Sequence, residues 1–227
     1  MDMQWYRWLA LFSLAICVAA CLWHFIRLIR LGRPTDYSKQ SGQVPPAVRF
    51  AFTGAMSPAR KESALLHLPT YFAGIVYHMG TFLSLLLFFL IFAGYTPGNI
   101  LDFTSENILA FSPENLLALL GVGMLTASVL CGIAIFLRRA TWGKIRSLSN
   151  PDDYISNLLV TLFQLLTALV ILFPSWQMIY FIEFSLLMLY LPLGKLKHTV
   201  YFFAARYLLG LFYGWRGVWP PPDKLKT

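Results

Sequence analysis

Long apolar runs alternate with short polar segments along the whole chain. A helix needs about 20 mostly apolar residues to cross the hydrocarbon of a bilayer. Residues 8–29, 68–94, 115–137, 155–173 and 177–198 meet that length and predict five transmembrane helices. A sixth apolar run, Thr199 to Trp215, follows with no polar turn between, contains Arg206 and ends in Gly214-Trp215-Arg216-Gly217. It either extends the fifth helix or lies along the membrane interface, as its aromatic and basic content allows. Pro220-Pro221-Pro222 then ends regular helix, so the pattern reads as a transmembrane domain over 1–215 and a proline-rich tail over 216–227.

The first apolar run is too long for a signal-peptide core and lacks a clear small-residue cleavage site, so it is expected to be a retained helix. Between the first two helices, Gly32 to Leu66 is rich in Pro, Gly, Ser and Arg and shows no apolar periodicity that would build a core. That loop is expected to pack on a partner. Asn150-Pro151-Asp152-Asp153 reads as a helix start, with an N-cap or proline N1 and acids in the first turn. No internal repeat signals an inverted-repeat transporter.

Composition strengthens the membrane reading. Hydrophobic residues make up 58% of the 227 positions and charged residues only 12%, with a mean hydropathy of +0.63, too little polar surface to cover a soluble globule. The class is an all-α integral membrane protein, a five-helix bundle. Charge sets its expected orientation. Seventeen of the eighteen Lys and Arg fall in the segment between helices one and two, the segment between helices three and four, and the stretch from Lys195 onward. By the positive-inside rule these face the cytoplasm, which puts the N-terminus outside and the C-terminus inside. The net charge of +8 is then a topological signal, and no nucleic-acid partner is expected.

Two histidines carry the chemistry. His78 lies in Tyr77-His78-Met79-Gly80, and His198 closes Gly194-Lys195-Leu196-Lys197-His198. Each has a glycine four residues earlier, Gly74 and Gly194, which on a helix is one turn away on the same face and leaves room for a flat ring. A neutral imidazole is a good ligand for iron, and an ionisable group inside a membrane helix points to function. Two such histidines could hold one haem between helices two and five; the plainer reading is a helix-to-helix hydrogen bond for each. Lys195, Lys197, Arg60 and Arg206 are near enough in sequence to meet haem propionates, and positive-inside anchoring explains them equally well.

Phe-Ala-Gly-Ile-Val-Tyr-His-Met-Gly over 72–80 and Leu-Pro-Leu-Gly-Lys-Leu-Lys-His over 191–198 resemble the haem-binding helices of the gamma subunit of respiratory nitrate reductase. They also resemble the related membrane subunits of heterodisulfide-reductase-like and sulfite-reduction-associated complexes. The five-helix pattern extends the resemblance over most of the chain, while the specific match is confined to the two motifs. That family holds two b-type haems, with two histidines spaced by ten on helix two and two spaced by eighteen on helix five. Here the corresponding positions are Phe88 and Tyr180. The resemblance therefore implies one haem b, on His78 and His198 only. It also implies a multi-pass subunit of the prokaryotic cytoplasmic membrane that exchanges electrons between a quinone or menaquinone and a cytoplasmic iron–sulfur partner.

His67 opens helix two near the interface, where with Tyr71 it could touch a propionate or a quinone. His24 shares a helical face with Cys17 and Cys21, a soft-metal pattern spread too far along the axis to close easily on one ion. With only three cysteines, all in predicted helices, the chain has no iron–sulfur run of its own. No phosphate loop, dinucleotide fingerprint or nucleophile elbow is present.

Glu183 is the acidic residue placed well inside a membrane helix, where burying its charge is costly unless it is protonated or paired. With Tyr180 and Gln177 nearby it is a candidate for a quinone pocket or its proton exit; otherwise it bonds a neighbouring helix, with Gln164 as the possible partner. Phe88 and Tyr180 are suited either to fill the volume of a missing macrocycle or to flank a quinone ring. The leading reading is a single-haem cytochrome b anchor subunit. The competing class is a haem-free membrane scaffold or small transporter subunit.

Overall fold

The structure is a computed structural model that describes residues 4–57, 66–94 and 113–221, with the side chains of 113–118 left out. Among the described residues it is all-helical. The helices are α1 (Trp5–Arg30), α2 (Val44–Phe52), α3 (Leu68–Phe92), α4 (Pro113–Thr141), the single turn α5 (Gly143–Arg146), α6 (Pro151–Leu172), α7 (Gln177–Tyr190) and α8 (His198–Trp215). Short 3-10 turns at Gly54–Met56, Pro174–Trp176 and Lys195–Lys197 join some of them. Trp5–Arg30, Leu68–Phe92, Leu119–Thr141 and Pro151–Leu172 are each long and apolar enough to cross a membrane. A fifth span is reached if the interrupted run from Pro174 to Trp215 is counted as one. The 25 residues of α3 alone extend about 37 Å, more than the roughly 30 Å of a bilayer core.

The chain divides into two compact units, one of Met1–Val18 with Pro69–Leu196 and the other of Ala19–Leu68 with Lys197–Thr227. The first holds the N-terminal part of α1 together with α3, α4, α6 and α7. Its best-defined helix start is α6. Asn150 accepts from the backbone N–H of Asp153, the Asp153 carboxylate accepts from the N–H of Asn150, and Pro151 occupies the first turn, where a missing donor costs nothing. The core forms where α6 and α7 bury Phe163, Leu166, Tyr180, Phe181 and Phe184 against Phe88 of α3. Tyr6 of α1 stacks on Phe181 at 5.6 Å.

Two expectations are corrected by the backbone. The predicted single helix over 177–198 stops at Tyr190, because Pro192 cannot donate in a continuing helix and the amides of Leu193 and Gly194 both turn back to the carbonyl of Tyr190. His198 therefore begins α8 rather than ending a longer helix, and Thr199–Trp215 belongs to that separate helix instead of extending the fifth one. The second correction concerns the loop from Gly32 to Leu66, which does contain a core. Val44–Phe52 is helical, with prolines in its first turn and Ala47 and Ala51 fully buried.

In the second unit α2 lies on α8. A Cβ added to Gly210 would come within 2.6 Å of the Val48 backbone, and one at Gly214 within 2.6 Å of the Ala47 side chain, so these two glycines set the close approach. The first tail residues join the same packing: Trp219 contacts Phe50 at 5.4 Å and Tyr213 at 4.6 Å between ring centroids.

Candidate functional site

His78 is the eleventh residue of α3 and is presented on its exposed side. The opposite side of the helix, through Gly80, Ser84, Phe88 and Ile91, is buried. One turn before His78, a Cβ added to Gly74 would meet nothing within 4 Å. Among the described residues there is thus space at Gly74, one turn from the imidazole.

The rest of the Tyr77-His78-Met79-Gly80 motif serves packing. The Gln164 amide of α6 donates to the carbonyl of Tyr77 at 3.0 Å and to the Thr81 hydroxyl at 2.8 Å. Its oxygen accepts from Ser128 of α4 at 2.7 Å. The Tyr77 hydroxyl donates to the carbonyl of Asn157 at 3.0 Å and lies 3.1 Å from the Thr161 hydroxyl. Polar groups in an apolar bundle need partners, and here three helices supply them to one another. Gly80 permits it, since a Cβ there would fall 2.1 Å from the Ser128 hydroxyl oxygen. The expected pairing of Gln164 with Glu183 is thus replaced: Gln164 is committed to Tyr77, Thr81 and Ser128. This network is the functional-looking feature that sequence reasoning missed, and a lone amide in the apolar run of α6 was its available signal.

Glu183 is 4% exposed, and neither carboxylate oxygen has a hydrogen-bond partner among the described residues. Around it the core is filled. Phe88 and Phe184 stack at 3.5 Å, Tyr180 lies 5.8 Å from Phe163 and 6.3 Å from Phe88, and Phe88 and Tyr180 are 1% and 0% exposed. Phe88 and Tyr180 thus fill this part of the core themselves.

His198, in the other unit, is exposed at the first position of α8. Gly194 does not stand one helical turn below it, because Lys195–Lys197 is a 3-10 turn and residues 191–194 are turns and a bend. A Cβ at Gly194 would instead fall 2.6 Å from Asp152 and from the Tyr190 ring, which are hydrogen-bonded to each other. Gly194 thus makes room for that pair, correcting its expected role beside a ring. Lys195 pairs with Asp153, which also takes Arg139 at 2.9 Å, so this lysine fastens the turn after α7 to the start of α6.

Of the remaining candidates, Lys197 is half-buried as the residue before α8, and Arg206 lies over the Phe202 ring at 5.6 Å. His67 is exposed just before α3, with half-buried Tyr71 in its first turn. Arg60 lies outside the described residues. His24 faces Tyr201, its Nδ1 3.3 Å from the hydroxyl.

No protein-family model, curated protein or solved structure matches the chain. His78 is an exposed imidazole with space at Gly74 one turn away, and His198 is an exposed imidazole without a glycine cradle of its own.

Proposed function

We propose that the chain is a membrane-embedded, b-type electron-transfer subunit carrying one haem on His78 and His198. The observation that carries this reading is an exposed imidazole midway along a membrane-length helix, beside a glycine whose face is open. The space at Gly74 would admit a flat ligand beside that imidazole. Neutral imidazole nitrogens of both histidines would hold the iron, and Lys197 and Arg206 would meet the propionates. The bound haem supplies one-electron redox chemistry.

The resemblance to the nitrate reductase gamma subunit supplies the wider setting: five spans in a prokaryotic cytoplasmic membrane, N-terminus outside, exchanging electrons between quinone or menaquinone and a cytoplasmic iron–sulfur protein. The chain would bind and conduct, and the partner would perform the substrate chemistry. Filling of the outer core by Phe88 and Tyr180 favours a quinone site at the interface, near His67 and Tyr71. The deciding experiment is a reduced-minus-oxidised spectrum with a pyridine haemochrome assay on the purified chain. One haem b per chain is expected, lost in His78→Ala and in His198→Ala. Absence of a b-type signal favours the haem-free scaffold or transporter, and full haem retention in His78→Ala removes that ligand assignment.

A further inference from the structure

The second unit contains a groove that the electron-transfer reading does not use. Residues 31–43 form a strap fastened to the end of α8. The amides of Ser41 and Gly42 donate to the carbonyl of Trp215 at 2.9 and 3.3 Å, the Trp215 indole donates to the carbonyl of Ser38 at 2.8 Å, and Arg216 pairs with Asp36 at 2.6 Å. Two cavities adjoin this strap. One, of about 520 Å³, is walled by apolar groups of α1 and α8, among them Phe25, Ile29, Phe203 and Ala204. The other, of about 630 Å³, is lined in part by Tyr37, Ser38, Trp215 and Arg216. Arg33 and Leu208 line both, so the two cavities adjoin at these residues. Each volume falls within the range of ligand pockets, about 300–1,000 Å³.

Charge indicates the occupant. Asp36 is the one acid in either lining, and it is already held by Arg216 and by the hydroxyl and amide of Ser38. Arg33, placed over the Tyr207 ring at 5.2 Å, is an exposed cation at the mouth of an apolar cavity. A guanidinium fork suits a phosphate, and basic pockets between membrane helices take anionic head groups. A neutral quinone would leave this charge unmatched. A free phosphate would leave the apolar cavity unfilled.

We propose that the groove between α1 and α8 binds one anionic phospholipid, with an acyl chain in the apolar cavity and the phosphate on Arg33. The full chain in detergent is titrated with phosphatidylglycerol or with phosphatidylcholine of the same chains, and bound lipid is counted by native mass spectrometry. One phosphatidylglycerol is expected to be retained about tenfold more tightly than phosphatidylcholine. Arg33→Ala abolishes that preference, and Ala204→Trp, which fills the apolar cavity, lowers retention of both lipids. Arg33→Gln, which keeps a polar side chain without the charge, serves as the charge test if the alanine variant does not fold. Equal retention of the two lipids in wild type, or a preference that survives loss of the Arg33 charge, overturns the proposal. Displacement of the lipid by inorganic phosphate also overturns it, by showing that the chain is not held. Stoichiometric displacement by a quinone overturns it in favour of a quinone groove.

Discussion

The amide oxygen of Gln164 accepts a 2.7 Å hydrogen bond from the hydroxyl of Ser128, and both residues are fully buried. Through it α4 is held to α6, while the amide nitrogen of Gln164 holds α3. Gly80 makes the approach possible, and Gly74, six residues earlier on the same helix, faces open space. Gly80→Ala is therefore expected to lower the melting temperature of the chain in detergent, by the equivalent of about 1–3 kcal/mol, typical of overpacking. In the haem-free chain Gly74→Ala should not lower it, since the added Cβ meets nothing within 4 Å. Because the Ser128 Cβ is also in the way, at 2.3 Å, Ser128→Gly should restore part of the loss in the double variant. Equal melting of the two single alanine variants would contradict this packing.

Glu183 is a buried acid with no hydrogen-bond partner among the described residues, and such a group costs about 1–3 kcal/mol relative to an apolar side chain of similar shape. Glu183→Met should accordingly raise thermal stability. A drop on the same melting assay would mean that the carboxyl has a partner in the working protein.

Quinone chemistry separates two parts of α3 and its approaches. With Phe88 and Tyr180 packed, Glu183→Gln should leave quinol-dependent haem reduction within about twofold of wild type, while His67→Ala should slow it at least tenfold, a change on the scale of one catalytic acid–base group. The haem spectrum should be unaltered in both. The opposite ranking of the two variants would return the quinone site to the outer core.

The expected orientation rests on the basic residues, seventeen of eighteen of which lie in the three segments that the positive-inside rule would place in the cytoplasm. Reporter fusions should place 32–66 and 216–227 inside and 96–113 outside. A cytoplasmic signal from 96–113 would reverse the assignment.

The strap of the second unit should respond to acid. Hydrogen bonds from the Ser38 side chain and amide, and then from Arg216, hold the Asp36 carboxyl below its usual range. Its folded value being depressed, the stabilising contribution is present above the ordinary aspartate value of about 3.9 and is lost as the pH falls through the lower folded value. Wild type and Asp36→Asn should differ in melting temperature near neutrality and converge in acid. A difference that persists at low pH would show that Asp36 acts through something other than its charge.

The apolar runs were legible because each span needs only local length and hydropathy, and the start of α6 was legible because its capping box lies within Asn150–Asp153. Where helices break is harder: Pro192 lies inside a continuous apolar run, and only the backbone shows Tyr190 ending α7 and His198 beginning α8. Helix α2 had a local signal, prolines at its start and apolar residues at 44, 47, 48 and 51, but its stability comes from α8, some 160 residues away, through Gly210 and Gly214. The same holds for polar partners. Residue type marked Gln164 and Glu183 as needing satisfaction in an apolar bundle, yet which groups reach them depends on how α3, α4 and α6 pack. That is why Gln164 binds Ser128 and Tyr77 while Glu183 has no partner among the described residues, and why Phe88 and Tyr180 pack together where the sequence left filling the volume and flanking a quinone ring equally open. Hydropathy is a property of each segment, whereas hydrogen-bond partners and filled volume exist only once distant segments touch.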